Sequence, residues 1–196
     1  ANRIRLVSSE TGVGVNLGNL TARQGDIQLD AGGKLTVMNS LASGSISANG
    51  AGVALSGSHQ AGGALNVASS RDVELSNSTL ASQADTTLST GGSLTQRGGS
   101  VTSKGALSVA AGKDITLTNT LSGSNTRATL SSGGMLSSTA SAVSAGESLS
   151  LSGGQIVLDG QSRADAAGDV RLTGSAVSNQ GQVNAGRDIA LSGDRV

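Results

Sequence analysis

His59 is the only histidine of this chain and the first residue to weigh for chemistry. Histidine moves protons near neutral pH and ligates metals. General acid–base work needs an oriented partner, and a metal site needs further ligands. The chain has no cysteine and no second histidine to supply them. By position, His59 falls at the third-strand place that Val183 takes in a later repeat, or at a corner beside it. A partly buried structural histidine fits there.

Asp169 and Asp188 end consecutive repeats, and Asp26 holds the same place far upstream. Stacked carboxylates can hold a cation or shift each other's pKa. Arg171 and Arg187 lie nearby, so ion pairing and water answer the same charges. Arg71 and Lys113 share a column two repeats apart, with Lys34 nearly in it. Such a sparse basic stripe can touch sulfated sugars or can deter sheet association. Serine is abundant, yet no GxSxG elbow occurs. The pairs Gly91–Gly92 and Gly133–Gly134 recur at corners, which is not the context of a phosphate loop. The GGxGxD core of calcium-binding β-rolls is absent. The expectation is no catalytic, cofactor-binding or metal-binding residue, and no cofactor.

The elements that position these residues are written in a 21-residue beat. Leu65, Thr86, Leu107, Ala128, Leu149 and Val170 are each 21 apart. Val73, Leu94, Ile115, Leu136 and Val157 keep the same step, and Leu80, Val101, Leu121 and Val143 keep it within one residue. Phase-locked apolar columns mean that one unit is stacked on copies of itself. Coils start at 4, 27, 46, 65, 86, 107, 128, 149, 170 and 189. Each coil alternates with period two in short pieces, such as LSV at 107–109 and ITL at 115–117, which reads as strands.

Corners separate the pieces. Gly32, Gly91, Gly112, Gly133 and Gly154 share the sixth coil position, where glycine fits a positive φ or a close backbone approach. Asn39, Asn77 and Asn119 share the thirteenth, where asparagine tolerates left-handed geometry or forms an amide ladder. The pattern predicts an all-β, three-faced β-solenoid, a right-handed parallel β-helix of about nine coils of 19–23 residues. At about 4.8 Å per coil the rod is about 45 Å long. The absence of Phe, Trp, Tyr and Pro suits a narrow bore and uninterrupted ladders.

The formal net charge of zero gives no electrostatic pull on nucleic acid or an anionic surface. Without aromatics there is no base-stacking platform. No apolar run approaches 18 residues, so no membrane insertion is expected, and no signal peptide is visible. The repeat continues into Ile189 and Leu191, so the chain reads as a piece of a longer rod.

GGKLTVMNSL at 32–41, SRDVELSNSTL at 70–80 and GKDITLTNTL at 112–121 resemble the repeats of filamentous haemagglutinins. These are Gram-negative exoproteins of two-partner secretion, and they include the sticks of contact-dependent growth inhibition. NRIRLVSSETGVGVNLGNL at 2–20 resembles the tail of that family's secretion domain. The resemblance divides the chain into 1–26, the end of a secretion-domain-like segment continuous with the solenoid, and 27–196, shaft repeats. It implies a secreted or cell-surface shaft, exported through an outer-membrane transporter that reads an upstream region. It also implies a host or neighbouring-cell receptor for the whole exoprotein. A shaft is not an enzyme.

Two other readings are open. The flank itself can bind a host glycan or receptor, through GSHQAGG at 57–63 or DGQSRAD at 159–165. More remotely, the chain is a polysaccharide-acting β-helix, a group whose members carry long loops and aromatic subsites. End-to-end stacking of open strand edges is a further possible contact.

Overall fold

The computed structural model describes residues 3–195. Ala1 and Asn2, with which the expected 1–26 segment begins, and Val196 lie outside the described residues. Alternating apolar and small polar residues form 23 strands, β1 to β23 in chain order, and no helix among the described residues. The first face is one ten-stranded sheet, all parallel. It stacks β1 (Ile4–Ser8), β3 (Ile27–Ala31), β5 (Ile46–Gly50), β7 (Leu65–Ser69) and β9 (Thr86–Thr90). It continues through β11 (Leu107–Ala111), β14 (Ala128–Ser132), β17 (Leu149–Ser152), β20 (Val170–Thr173) and β23 (Ile189–Ser192). All ten coil starts read from the sequence begin these strands. Each registers on the next, from Ile4 on Ile27 to Val170 on Ile189.

The second and third faces share a 13-stranded sheet. In the early coils one strand bends through both faces: β2 (Val15–Ala22), β4 (Lys34–Ala42), β6 (Gly52–Ala61), β8 (Val73–Ser82) and β10 (Leu94–Ser103). In the later coils it divides into β12 (Ile115–Thr118) and β13 (Leu121–Ser124), then β15 (Met135–Thr139) and β16 (Ala142–Ala145). The same division gives β18 (Gln155–Leu158) and β19 (Arg163–Ala166), then β21 (Ala176–Asn179) and β22 (Gln182–Ala185). The inward residues of all three faces form one continuous buried column, mostly Leu, Ile, Val and Ala, with polar members such as Ser40, His59 and Gln96.

Two assignments differ from the sequence reading, each by one residue. Leu136 registers on Ile156, so Ile156 is buried and Val157 faces partly outward. The coil from Leu149 takes one residue fewer before its second face and one more at the 159–162 corner. On the third face Val101 registers on Ser122, and Ser122 on Val143. Leu121 points away from the bore and is 62 % exposed. With a side-chain period of two, one residue of slack exchanges inside for outside.

The corners also resolve. Gly91, Gly112 and Gly133 stand in one column, and a Cβ at Gly112 or Gly133 would collide with the carbonyl oxygen of the glycine one coil earlier. Close approach, not positive φ, is what they supply. Gly154 leaves that column because of the shortened corner. Asn77, Gly98, Asn119 and Ala140, 21 apart, are all left-handed, with φ of 47°, 67°, 53° and 48°. Asn39 takes the other expected role: its amide donates to Asn19 Oδ1 at 2.7 Å and its oxygen accepts from Ser58 N at 2.8 Å.

Ala140 is the one member of the left-handed column that is neither asparagine nor glycine, the residues that tolerate that geometry. Ala140→Asn keeps the N–H that Asp159 accepts. The expected result is a gain of about 0.5–1 kcal/mol, read as a higher denaturant midpoint with unchanged slope.

Candidate functional site

His59 sits on β6 facing the bore, 2 % exposed, registered on Ser40 and Leu80. This is the column that ends in Val183, as the spacing predicted. Nε2 lies 3.0 Å from the Ser56 carbonyl, which can only accept, so Nε2 carries the proton. Nδ1 lies 2.8 Å from Ser40 Oγ and accepts from that hydroxyl in the neutral ring. Burial pushes the imidazole pKa below its ordinary value, against the smaller raising effect of the Ser56 carbonyl. The neutral, fully bonded ring is a structural member of the core.

The sign of its pH effect follows. The unfolded chain takes up this proton near pH 6.5, and the folded chain at lower pH. Below pH 6.5 the unfolded state therefore binds more protons, and stability falls on acidification. Denaturant midpoints should drop from pH 7.5 to 5.5, and His59→Leu should flatten that part of the curve. An equal slope in His59→Leu would assign the dependence to other groups.

The aspartates do something the sequence reading did not anticipate. Asp26 Oδ1 accepts from Ser45 N at 2.7 Å, and Asp85 Oδ1 from Ala106 N at 2.8 Å. At the other corner, Asp72 Oδ1 accepts from Ser93 N at 2.8 Å and Asp114 Oδ1 from Met135 N at 2.7 Å. Each carboxylate caps a backbone N–H of the following coil. The residue before each capped N–H is glycine (Gly44, Gly105, Gly92, Gly134), and a Cβ there would overlap the carboxylate oxygen. Asp169 acts in the same way on Asp188 N, at 3.3 Å, and also takes a two-pronged bond from Arg187, at 3.1 Å each. Asp188 and Asp169 thus stack as expected, joined by hydrogen bonding. Among the described residues no three His, Asp or Glu side chains converge as metal ligands would.

Arg71 and Lys113 do share a column, with Gly92 between them, through Gly92 N to Arg71 O and Lys113 N to Gly92 O. Lys34 is one position off and pairs with Glu74 at 3.1 Å. Coil 46 is short at this corner, which leaves a recess of about 570 Å³ over Gly33 and Gly52. Lys34, Arg71, Asp72 and Glu74 wall it, so its charges balance. In the 159–165 stretch Asp159 closes its own corner. The Ser162 hydroxyl, at 2.7 Å, is the main cause that holds its carboxyl below the usual range, with Ala140 N and Gln161 N adding to it and desolvation opposing. Arg163 pairs with Asp165 at 3.3 Å. Arg171 faces outward on the first face, beside Ser150 and Ala190.

A buried hydroxyl column was also missed. Thr120, Ser141 and Ser162, 21 apart, are all buried at the second corner. Thr120 Oγ1 donates to Ser141 Oγ at 3.2 Å, Ser138 Oγ to Ser162 Oγ at 3.0 Å, and Ser162 Oγ to Asp159. The signal is present in the sequence as a hydroxyl repeat at 21-residue spacing.

Residues 62–131 match a family described as repeats of unknown function (DUF5649). The chain is 62 % identical over 85 residues to "tRNA nuclease CdiA" of Escherichia coli strain NC101, which is 43 % of the chain and 3 % of that protein. It is 56 % identical over 82 residues to "16S rRNA endonuclease CdiA" of Enterobacter cloacae, 42 % of the chain and 2 % of that protein. A "tRNA nuclease CdiA" of Yersinia mollaretii is 59 % identical over 80 residues, 41 % of the chain and 3 % of that protein. No solved structure matches. The resemblance to filamentous-haemagglutinin-type exoproteins thus holds at the level of CdiA homology over about 42 % of the chain.

Proposed function

We propose that this chain is a shaft segment of a contact-dependent inhibition exoprotein, displayed at or released from a Gram-negative cell surface. The observation that carries the reading is the uninterrupted stack of nine coils and a tenth first-face strand, in a chain homologous to CdiA proteins. A solenoid converts residues into length: each coil adds about 4.8 Å and is held by its neighbours. The nuclease activities named for the relatives belong, in this reading, to parts outside the 2–3 % that the chain matches. A shaft has no catalytic centre and needs none.

Export follows the two-partner route in this reading, through an outer-membrane transporter that takes the unfolded chain. A chain without cysteine meets no disulfide block on that path. Residues 1–26 continue from the secretion domain. Folding outside the cell then proceeds coil by coil, with no long loop closure at any step.

The test is surface labelling. Ser108 lies on the outside of the first face, and the chain has no native cysteine. With Ser108→Cys in the full exoprotein, a membrane-impermeant maleimide should label intact producing cells above the unsubstituted parent. Labelling only after lysis, in cells that carry the full exoprotein in the outer membrane, would overturn the reading.

A further inference from the structure

The apolar columns of this rod do not by themselves say which coil belongs on which. If the coil from Ile27 were looped out, the coil from Ile46 would meet the first coil with Ile46 on Ile4, Val53 on Val15, Leu55 on Leu17 and Ala61 on Ala22. Every inward pair on those positions would still be apolar. The exception is the third face, where His59 would meet Leu20, since Leu20 registers on Ser40 and Ser40 on His59. The imidazole Nδ1 would lose the Ser40 hydroxyl and stay buried without a partner.

The same arrangement recurs further along. Gln96 is buried between Leu75 and Leu117, and its Oε1 accepts from Ser122 of the next coil at 3.4 Å. The coils from Leu107, Ala128 and Leu149 are joined by the Thr120–Ser141–Ser162 hydroxyls. Each of these buried sets has one contact that only an adjacent coil supplies, His59 Nδ1 with Ser40, Gln96 Oε1 with Ser122 and Thr120 with Ser141.

We propose that these inter-coil polar contacts, His59–Ser40 above all, are register keys that reject skipped-coil arrangements while the solenoid assembles. A lone polar residue in an apolar seam is known to fix register in this way at a cost in stability. A skipped coil also forfeits its own burial, so it is a kinetic trap on refolding. The keys act by destabilising that trap, because an orphaned buried polar group is disfavoured by a factor of about ten.

Because the chain is cysteine-free, engineered pairs read register directly. Gln28 and Ser47 are registered neighbours, and Arg5 registers on Gln28. A Gln28→Cys/Ser47→Cys pair therefore cross-links in the native stack. An Arg5→Cys/Ser47→Cys pair lies two coils apart, beyond disulfide reach, and closes only when the coil from Ile27 is skipped.

After rapid dilution from denaturant, the chain with both keys should give the native cross-link and only background for the skipped one. In Ser40→Ala/His59→Leu the skipped cross-link should rise roughly tenfold, while the denaturant midpoint is equal or higher. A skipped cross-link that stays at background in that double variant would overturn the proposal. So would an equal rise in Leu130→Ala, which is destabilised in a coil that both arrangements keep and which leaves both keys in place. Should Ser40→Ala/His59→Leu not fold, Gln96→Leu/Ser122→Ala carries the same test. There Thr87→Cys/Ser108→Cys is the native pair and Asn66→Cys/Ser108→Cys the skipped pair.

Discussion

Leu117→Asp is expected to destroy the middle of the rod while sparing its ends. Leu117 faces the bore between Gln96 and Ser138 and is almost fully buried. Removing the side chain alone, as Leu117→Ala, forfeits about 2–5 kcal/mol. A carboxylate adds the desolvation of a charge with no partner in reach, which takes the loss beyond about 5 kcal/mol.

In a globular core that loss unfolds the whole domain. In a stack whose coils touch only their neighbours the damage is local. Hydrogen exchange should show β10, β12 and β15 losing protection together, with β3 and β5 keeping theirs. The single denaturation step should divide into two. The control is Leu121→Asp, four positions away, which should change stability by less than about 0.5 kcal/mol because that side chain is in water. If Leu121→Asp proves the more damaging of the two, Leu121 and not Ser122 faces the bore.

Leu121 also marks the limit of what the sequence could show. The ten starts of the first face were legible because each opens a short alternating run after a corner, and the step between them, 19, 21 or 23 residues, is always odd and close to the same length. The third face follows two corners, and their small length changes accumulate. Between Val101 and Val143 the inward residue is Ser122, not the leucine beside it. Hydropathy alone prefers Leu121, and only the ladder decides.

Polar periodicity carried as much information as the apolar kind. Asp72 and Asp114 stand two repeats apart, each answered by a glycine in the following coil, Gly92 and Gly134. Read together, an acid and a glycine one repeat later announce a carboxylate that caps a neighbouring coil. Read singly, the same aspartates look like candidate cation ligands. His59 was placed correctly by position, but its two partners, Ser40 and the Ser56 carbonyl, come from the preceding coil and from a bend in its own strand. Neither is visible without the register.

Gln96→Leu should stabilise the chain by about 2 kcal/mol. Gln96 is 1 % exposed, flanked in its column by Leu75 and Leu117, and its Nε2 has no hydrogen-bond partner. Its Oε1 accepts one long bond, 3.4 Å from Ser122 Oγ. Leucine continues the column and removes an unpaired buried donor, whose desolvation costs about 1–3 kcal/mol. Against that stands the one weak bond lost by Ser122. Gln96→Glu reverses the sign, because it buries a charge in the same place.

Ser78 offers a smaller version of the same gain: its hydroxyl is unpaired, and its registered neighbours, Gly57 and Gly99, carry no side chain to meet it. Natural stacks do not retain such groups for strength. If Gln96→Leu raises the denaturant midpoint yet lowers the fraction of chains that refold in register, stability and correct assembly are separate quantities here, and the bore has traded some of the first for the second. If the midpoint falls, the glutamine has a partner in the bore, and its role is cohesion.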